Sequence, residues 1–265
     1  MNPEATIPAL FDLTGKTALI SGAGGWLGSA MSRALAEAGA NVITTSRDLS
    51  RATAAAAALP VTENNTHHGV VMDHLDEASI EQGFAGALAC TGRIDILINN
   101  GHEANASDLN TVTAAEFNRA LENATGYFLL ARKVRDHAVA RGGGASIVLI
   151  GSMYGVVGSY PDAYEGVVSA SPVAYHTLKG GIVHMTRHLA VYWAKDGVRV
   201  NCLSPGPFPG PAANPGMVER LITKSPMGRM GRPDEMKGAV VFLASEASSY
   251  VTGQNLLVDG GWTAW

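Results

Sequence analysis

The stretch TALISGAGGWLG (17–28) joins an apolar run to a glycine-rich turn, and a helical pattern follows at once. The run TALIS is typical of a strand that helices cover on both faces. Glycines at such a turn let the backbone approach a pyrophosphate, and the N-terminus of the following helix offers unpaired N–H groups. A tight structural turn is the alternative, but the position after the first strand of an alternating chain favours nucleotide binding.

Strands and helices alternate along the rest of the chain. The predicted strands are 17–21, 41–45, 69–73, 94–99, 145–151, 198–204 and 255–259. The predicted helices are about 27–38, 50–58, 76–90, 113–140, 172–195 and 234–245. No repeat or linker interrupts them, so we expect one α/β domain over residues 1–265. Its predicted fold is a Rossmann-like, doubly wound parallel sheet of about seven strands with helices on both faces.

Two helix starts and two loops stand out in this pattern. Thr113 and Glu116 are spaced as a capping box, and Ser171 before Pro172 is typical of an N-cap with proline at the first helical position. Loop 151–172 is rich in glycine, serine and tyrosine, and the prolines of loop 204–216 predict no regular structure there. Both loops follow strands, so we expect them to form walls of an active site.

Composition narrows the classes of function. The chain has 265 residues, 19 Lys+Arg against 23 Asp+Glu, 16% charged residues and 46% hydrophobic residues. This balance excludes a disordered chain and disfavours nucleic-acid binding, which needs clustered basic residues. The low charge content also favours self-association.

Compartment is predicted from the cysteines and the apolar runs. Two cysteines, Cys90 and Cys202, cannot form a disulfide framework, and Cys202 lies in an apolar strand that predicts a core position. We see no secretory signal and no run of the roughly 18 apolar residues that a membrane span needs. The expectation is a cytoplasmic protein with reduced thiols and no membrane partner.

A single Tyr-x-x-x-Lys occurs in the sequence, from Tyr175 to Lys179. Spacing of four places both side chains on one face of a helix. A nearby ammonium stabilises a phenolate and lowers the tyrosine pKa, which would let Tyr175 act as an acid/base near neutral pH. A surface pair that happens to lie four apart is the alternative. The opposite stripe, which we expect to face the core, is Leu178, Ile182, Met185 and Leu189.

Six motifs in order resemble the family of short-chain dehydrogenases/reductases, over nearly the whole chain from residue 13 to the C-terminal VDGGW. The family's Thr-Gly-x-x-x-Gly-x-Gly turn is similar to residues 21–28, with Ser21 for threonine and Trp26 for the middle glycine. Its Asn-Asn-Ala-Gly segment resembles residues 99–102, where the last two positions differ. The other matching residues are Asn123, Ser152, Tyr175, Lys179, Pro205 and Gly206.

The resemblance implies a role for each residue of the site and an NAD(P)(H)-dependent oxidoreductase that interconverts a secondary alcohol and a ketone. Tyr175 would exchange a proton with the substrate, and Ser152 would hydrogen-bond the reacting oxygen. Lys179 would hold the nicotinamide ribose and lower the pKa of Tyr175, while Asn123 would help to hold a water that links Lys179 to solvent. The implied cofactor contacts are Ser21, Gly22, Gly25, Trp26, Leu27, Gly28, Ser46, Arg47, Asp73, His74, Asn99, Asn100, Gly101, Tyr175, Lys179, Pro205, Gly206 and Phe208.

The end of the second predicted strand bears on the choice of dinucleotide. An acidic residue there would bind the ribose hydroxyls of NAD. This strand ends in Ser46 and Arg47, which suit a 2′-phosphate because arginine pairs with it bidentately. We expect NADP(H) to be preferred and NAD(H) to be possible, with Asp73 on the adenine amino group. Asp48 could turn inward, and the glycine turn lacks a further basic residue.

Candidate substrate contacts come from two places. Ser152 and Tyr175 are separated by 23 positions, more than is usual in the family, and this insertion supplies Tyr154 and Tyr164. These tyrosines and His102 are candidates for binding a polar sugar-like or cyclic substrate. Packing of the insertion on a neighbouring subunit, and an inert loop histidine, are the alternatives. The Tyr-Glu-Gly piece and the C-terminal tail resemble a subgroup acting on sugar acids or sugar-nucleotide precursors, such as gluconate 5-dehydrogenase.

Two other function classes stay open. A halohydrin dehalogenase-like lyase would share the fold but carry arginine in place of Lys179 and lack the nucleotide site. A cofactor-binding regulatory protein without turnover is favoured by the altered segment 99–102 alone. His184 and His188 share a helix face without a third ligand, so we expect no metal.

Assembly is predicted from the resemblance as well. The family usually forms dimers or tetramers by pairing its long helices and packing its C-terminal strands together. We therefore expect a homodimer or homotetramer, with Gly180, Gly181, Trp262 and Trp265 at the interfaces.

Overall fold

Seven parallel strands form one sheet in the computed structural model, which describes residues 4–62, 64–104 and 108–265. Their bounds are β1 (Thr17–Ser21), β2 (Asn41–Ser46), β3 (His67–Val71), β4 (Ile96–Asn99), β5 (Ala145–Ile150), β6 (Val198–Pro205) and β7 (Asn255–Val258). The strand order is β3-β2-β1-β4-β5-β6-β7, and every neighbouring pair is parallel. The predicted doubly wound sheet is confirmed.

Helices cover both faces of this sheet. Their bounds are α1 (Ile7–Phe11), α2 (Trp26–Glu37), α3 (Leu49–Ala57), α4 (Glu77–Thr91), α5 (Ala114–Ala140), α6 (Pro161–Tyr164), α7 (Val173–Trp193), α8 (Pro215–Ile222) and α9 (Lys237–Ala244). The six predicted helices are present, with ends shifted by up to three residues. No helix in the described part of the chain combines the length and the apolar character needed to cross a membrane.

Consecutive strand residues alternate between two halves of the core. Ala18 and Ile20 pack with α2 and α9 on one face, whereas Leu19 packs with α4, α5 and α7 on the other. Because both faces are buried, the strands contain continuous apolar runs. Cys202 and the stripe of α7 around Leu178 lie in this core as predicted.

Two local predictions need correction. Strand β3 begins two residues earlier than expected, because the polar His67 and His68 pair with β2 at the edge of the sheet. Helix α8 begins inside the proline-rich loop, where Asn214 caps it by accepting a hydrogen bond from the Met217 N–H (3.2 Å), with proline at the first position.

The two predicted helix starts have different outcomes. The capping box of Thr113 and Glu116 is confirmed at the start of α5. At α7 the N-cap position is Pro172 rather than Ser171, and proline offers no side-chain acceptor. The Ser171 hydroxyl instead lies 2.9 Å from Nε2 of His176.

Candidate active site

A cleft of about 1250 Å³ opens where the strand order reverses, beyond the carboxyl ends of β1 and β4. Open α/β sheets bind ligands at this point, because the loops diverge there and leave a crevice. A second cavity of about 820 Å³ lies at the amino ends of the same strands. That cavity is distant from the predicted site residues, so we place the candidate site in the first.

The glycine-rich turn forms the floor of the cleft. Gly22 has φ +65°, and a side chain there would come within 2.9 Å of the Asn100 amide. A Cβ at Gly28 would lie 2.1 Å from the Gly22 carbonyl oxygen, so α2 packs directly on the turn. The N-cap of α2 is Gly25, and no side chain caps the helix. Its first N–H groups therefore suit a pyrophosphate, which is the fit expected of a dinucleotide site.

The Ser21 hydroxyl links the end of β1 to the end of β4 by hydrogen bonds. It accepts hydrogen bonds from the N–H groups of Asn100 (2.9 Å) and Gly101 (2.8 Å) and donates to Oδ1 of Asn99 (3.1 Å). The Asn99 amide donates in turn to the Tyr127 carbonyl (3.0 Å). Asn99 is fully buried with both ends of its amide bonded, so its side chain acts as an internal brace, and its predicted cofactor contact stays a prediction.

Basic side chains gather at the far end of the cleft, after β2. The predicted Ser46 and Arg47 line it, and so do three cations that the sequence reasoning missed, Arg33, Arg51 and Lys237. The Asp48 carboxylate does not turn inward, since it caps α3 by accepting from the Arg51 N–H (2.9 Å) and the Ser50 hydroxyl (2.6 Å). These two hydrogen bonds also lower the pKa of Asp48.

Glu103 is a further residue that the sequence reasoning missed. Its carboxylate lies 3.5 Å from the Arg47 guanidinium and pairs with Arg119 on α5 (2.8 Å). These pairs lower the pKa of Glu103. An acidic residue two places after the 99–101 segment was the available signal.

The Tyr-x-x-x-Lys pair lies on the inner face of α7. Lys179 is buried, its Nζ donates to the Ile150 carbonyl (2.8 Å), and this nitrogen lies 5.6 Å from the centre of the Tyr175 ring. Burial lowers the pKa of Lys179 to about 8. Burial raises the pKa of Tyr175, and the Ser152 hydroxyl offsets part of that rise. The net direction for Tyr175 is thus opposite to the predicted one, because the cost of burying a phenolate outweighs the neighbouring groups.

Asn123 connects α5 to the loop after β4. Its Oδ1 accepts from the Glu103 N–H (2.9 Å) and lies 2.9 Å from Nε2 of His74, while its Nδ2 donates to the Ala120 carbonyl (2.9 Å). The amide is fully buried. Asn123 therefore positions this loop, and its predicted part in holding a water stays a prediction.

Comparisons with known proteins identify the family. The family model described as Enoyl-(Acyl carrier protein) reductase matches residues 22–263. Galactitol 2-dehydrogenase (L-tagatose-forming) of Cereibacter sphaeroides is 35% identical, over 97% of this chain and 98% of that one. D-threitol dehydrogenase of Mycolicibacterium smegmatis is 33% identical, over 98% and 97%. This chain belongs to the short-chain dehydrogenase/reductase family.

A solved structure agrees with this assignment. Gluconate 5-dehydrogenase from Burkholderia cenocepacia, in complex with NADP and tartrate, has a TM-score of 0.85 and 30% identity, covering 98% of this chain and 100% of that one. As a short-chain dehydrogenase/reductase, the protein is an oxidoreductase of CH–OH groups that uses a nicotinamide dinucleotide. The lyase and the regulatory protein without turnover are therefore set aside.

Other predicted cofactor contacts lie at the margins of the cleft. His74 and Gly101 line it, whereas the Asp73 carboxylate accepts from the Leu75 N–H (3.0 Å). Trp26 is 46% exposed and faces Gly210 of the proline-rich loop. The remaining ones, whose cofactor contacts stay predictions, are Leu27, Pro205, Gly206 and Phe208.

The insertion that precedes α7 packs on its own chain. Arg220 on α8 donates to the carbonyls of Asp162 (3.0 Å) and Glu165 (2.7 Å), and Lys224 pairs with the Asp162 carboxylate. Trp262 is only 1% exposed, with its ring 5.4 Å from that of Tyr160. The prediction that Trp262 lies at a subunit interface is therefore corrected, because its ring fills the space under the insertion.

The two tyrosines proposed for the substrate support this insertion. The Tyr154 and Tyr164 hydroxyls lie 2.6 Å apart, and the Tyr154 ring stacks on His176 at 4.5 Å. Burial is the main cause that raises the pKa of Tyr154. Tyr154 thus supports the insertion, and Tyr164 is half-buried at its edge, while the predicted substrate contacts of both tyrosines stay predictions.

His102 lies beside the predicted acid/base. Its ring meets that of Tyr175 edge to face, with 5.4 Å between the centres. Burial and the nearby Lys179 lower the pKa of His102 to about 4. Within the described ranges, no group of three or more His, Cys, Asp and Glu side chains is placed to hold a metal ion.

Proposed function

We propose that this protein interconverts a secondary alcohol and a ketone on a polyol or another sugar-like substrate, with NADP(H) as its preferred cofactor. The observation that carries the proposal is the position of Tyr175 and Lys179 on the inner face of α7, with Lys179 buried and without a carboxylate partner among the described residues. A buried ammonium that bonds a single carbonyl retains two donors for a ligand. Ribose hydroxyls are suitable acceptors.

The chemistry divides between the cofactor and the side chains. When bound, the nicotinamide supplies or accepts the hydride. Tyr175 gives its hydroxyl proton to the substrate oxygen, or takes one from it, and Ser152 hydrogen-bonds the same oxygen. Lys179 stabilises the phenolate electrostatically, which matters because burial alone raises the pKa of Tyr175.

Replacing the proton carrier tests this assignment. Tyr175→Phe keeps the ring and removes the hydroxyl, so kcat for polyol oxidation should fall by about 10²-fold or more. The dissociation constant for NADPH, followed by fluorescence, should change by less than about twofold. The matched control is Tyr250→Phe, at a fully exposed position outside the proposed interface, which should keep wild-type kinetics. Unchanged turnover in Tyr175→Phe would reject the mechanism.

The preference for NADP(H) rests on charge. Arg47 and Arg51 line the far end of the cleft, and Asp48 is occupied as the cap of α3. Guanidinium groups bind a phosphate bidentately, whereas the ribose hydroxyls of NAD call for a carboxylate. The gluconate 5-dehydrogenase relative was solved with NADP, in agreement with this preference.

A homodimer or homotetramer is proposed as the assembly. Its support is the apolar surface on the two long helices, where Val139, Val191 and Tyr192 are exposed, and on Trp265 at the C-terminus. Gly181 is also exposed on α7, with open space at its Cβ position. Light scattering at micromolar concentration should give the mass of two or four chains, and a monomer mass would reject the assembly.

A cytoplasmic location is proposed from the thiols. Cys90 is exposed and Cys202 is buried, and both are unpaired. Exposed unpaired thiols suit a reducing compartment. Fractionation of the source cells should recover the protein with cytoplasmic markers, and recovery with exported proteins would reject this location.

A further inference from the structure

The loop that holds His102 is fixed on both sides by buried hydrogen bonds. On one side the Gly101 N–H donates to the Ser21 hydroxyl (2.8 Å), and on the other the Glu103 N–H donates to the Asn123 amide (2.9 Å). Both acceptors belong to buried side chains. The backbone of His102 is therefore positioned as firmly as the strands that carry Ser21 and the helix that carries Asn123.

The imidazole of His102 lies beside the predicted proton carrier. It lines the cleft, and it contacts the Tyr175 ring edge to face with 5.4 Å between the centres. When the reacting oxygen of a substrate bonds the Tyr175 hydroxyl, the neighbouring carbons of that substrate lie close to the contact between the two rings. A hydroxyl on the adjacent carbon is one C–C bond away, so it falls within reach of the imidazole.

Neither ring nitrogen of His102 has a partner among the described residues. Nδ1 is buried without a hydrogen bond, and Nε2 makes none either. A buried N–H without an acceptor is rarer in proteins than a buried acceptor without a donor. The proton of the neutral ring therefore belongs on Nε2, which leaves an unpaired donor for a ligand.

The ring is neutral under ordinary conditions. Burial, Lys179 and His74 all lower the pKa of His102, to about 4, and the nearby Glu103 opposes them only weakly. A neutral donor offers no ion pair to a carboxylate, whereas it matches a hydroxyl oxygen.

From this position and this free donor, we propose that His102 hydrogen-bonds a second hydroxyl of the substrate, on the carbon next to the one that reacts. The site would thereby select vicinal diols and polyols over alcohols with a single hydroxyl. The inference rests on the proposed function and names the substrate class within it. His102 is then a specificity-determining residue.

Two variants test the inference on a matched pair of substrates. The wild type is first assayed with tetritols, pentitols and hexitols. The best polyol is then compared with its analogue that lacks the hydroxyl next to the reacting carbon. His102→Leu keeps the bulk and removes the donor, and His102→Gln restores an amide donor at similar reach. The matched control, His184→Leu, changes an exposed histidine on α7.

The expected result is a change in discrimination. His102→Leu should lower kcat/KM for the polyol by about tenfold or more and for the deoxy analogue by less than about threefold, because one hydrogen bond is lost with the first substrate alone. His102→Gln should recover most of the polyol activity, and the NADPH dissociation constant should stay constant in all variants.

Four outcomes would contradict this result. Equal losses on both substrates, or no loss with His102→Leu, would overturn the role of His102 while the proposed function stands. A wild type that oxidises none of the polyols would reject the proposed function itself, and the inference with it. If His102→Leu does not fold, His102→Gln alone decides. Loss of the wild-type preference for the polyol over its deoxy analogue in His102→Gln would overturn the inference, and retention of that preference would support it.

Discussion

At the scale of single residues, the ion pair between Arg47 and Glu103 affects how strongly Arg47 can bind a phosphate. The two side chains lie 3.5 Å apart, and Glu103 is held by Arg119 at the same time. A 2′-phosphate must therefore compete with a carboxylate for Arg47. The exchange is inexpensive because Arg47 is exposed, so its pair with Glu103 contributes little.

Arg47→Ala should discriminate between the two dinucleotides. Removing the guanidinium should weaken NADPH by about 1.5–3 kcal/mol, or at least tenfold, since one charge-assisted contact is lost. NADH should lose less than about twofold. Fluorescence titration measures both dissociation constants, and Arg187→Ala, an exposed arginine on α7, is the control. Equal losses for both cofactors, or tighter binding of NADH by the wild type, would overturn the preference for NADP(H).

Sequence patterns can single out candidate residues, but they say little about the partners of those residues. Tyr175, Lys179 and Asn123 are singled out because their spacing or their motif is local in the chain. The bracing role of Asn99 depends on Ser21, which is 78 positions away, and on the Tyr127 carbonyl. The direction of the Tyr175 pKa was missed for the same reason, since burial depends on the tertiary structure.

At the scale of elements, the insertion and α8 pack together, and we expect this unit to form the predicted wall of the site. Tyr154 and Tyr164 join the wall to the segment after β5, while Arg220 joins α6 to α8. The binding of a substrate enclosed by this wall depends on the position of the wall, whereas the binding of a cofactor along the glycine turn does not.

Tyr154→Phe should loosen the wall without touching the cofactor. The change removes the hydrogen bond to the Tyr164 hydroxyl, which should cost about 0.5–1.5 kcal/mol of stability. We expect KM for the polyol to rise about threefold or more and KM for NADPH to stay constant. Tyr250→Phe, at a fully exposed position, is the control. A parallel rise in both KM values would show that Tyr154 acts on the whole domain instead.

The elements that sequence patterns missed share a physical cause. Helices α1, α6 and α8 are short and begin at or next to a proline. Proline lowers the expectation of a helix, although it is well tolerated in the first turn. The longer helices were predicted because several turns of apolar spacing reinforce one another.

At the scale of the whole molecule, half-buried histidines make stability depend on pH. His102 has a pKa of about 4 in the folded chain against 6.5 in an exposed histidine, and burial lowers the pKa values of His137 and His176 as well. The unfolded chain therefore binds more protons than the folded one between these pH values. Stability is full above pH 6.5 and is lost as the pH falls towards 4.

Urea unfolding at pH 7 and at pH 5.5 measures this dependence. The wild type should lose free energy of unfolding over this interval, and His102→Gln should lose less, because one of the contributing groups is gone. The interval lies above the range in which Glu235, with a pKa of about 2, titrates. An identical loss in His102→Gln and in the wild type would show that His102 does not contribute.

The hydrogen bonds of the Ser21 hydroxyl have a consequence for the thermodynamics of ligand capture. Because this hydroxyl already holds the 100–101 backbone against β1, the width of the crevice is set before any ligand arrives. A ligand then spends little of its interaction energy on ordering the chain. Affinity at this end of the crevice should come mainly from direct contacts, with a small entropic penalty. The entropic cost of ordering the chain should fall instead on the wall formed by the insertion and α8.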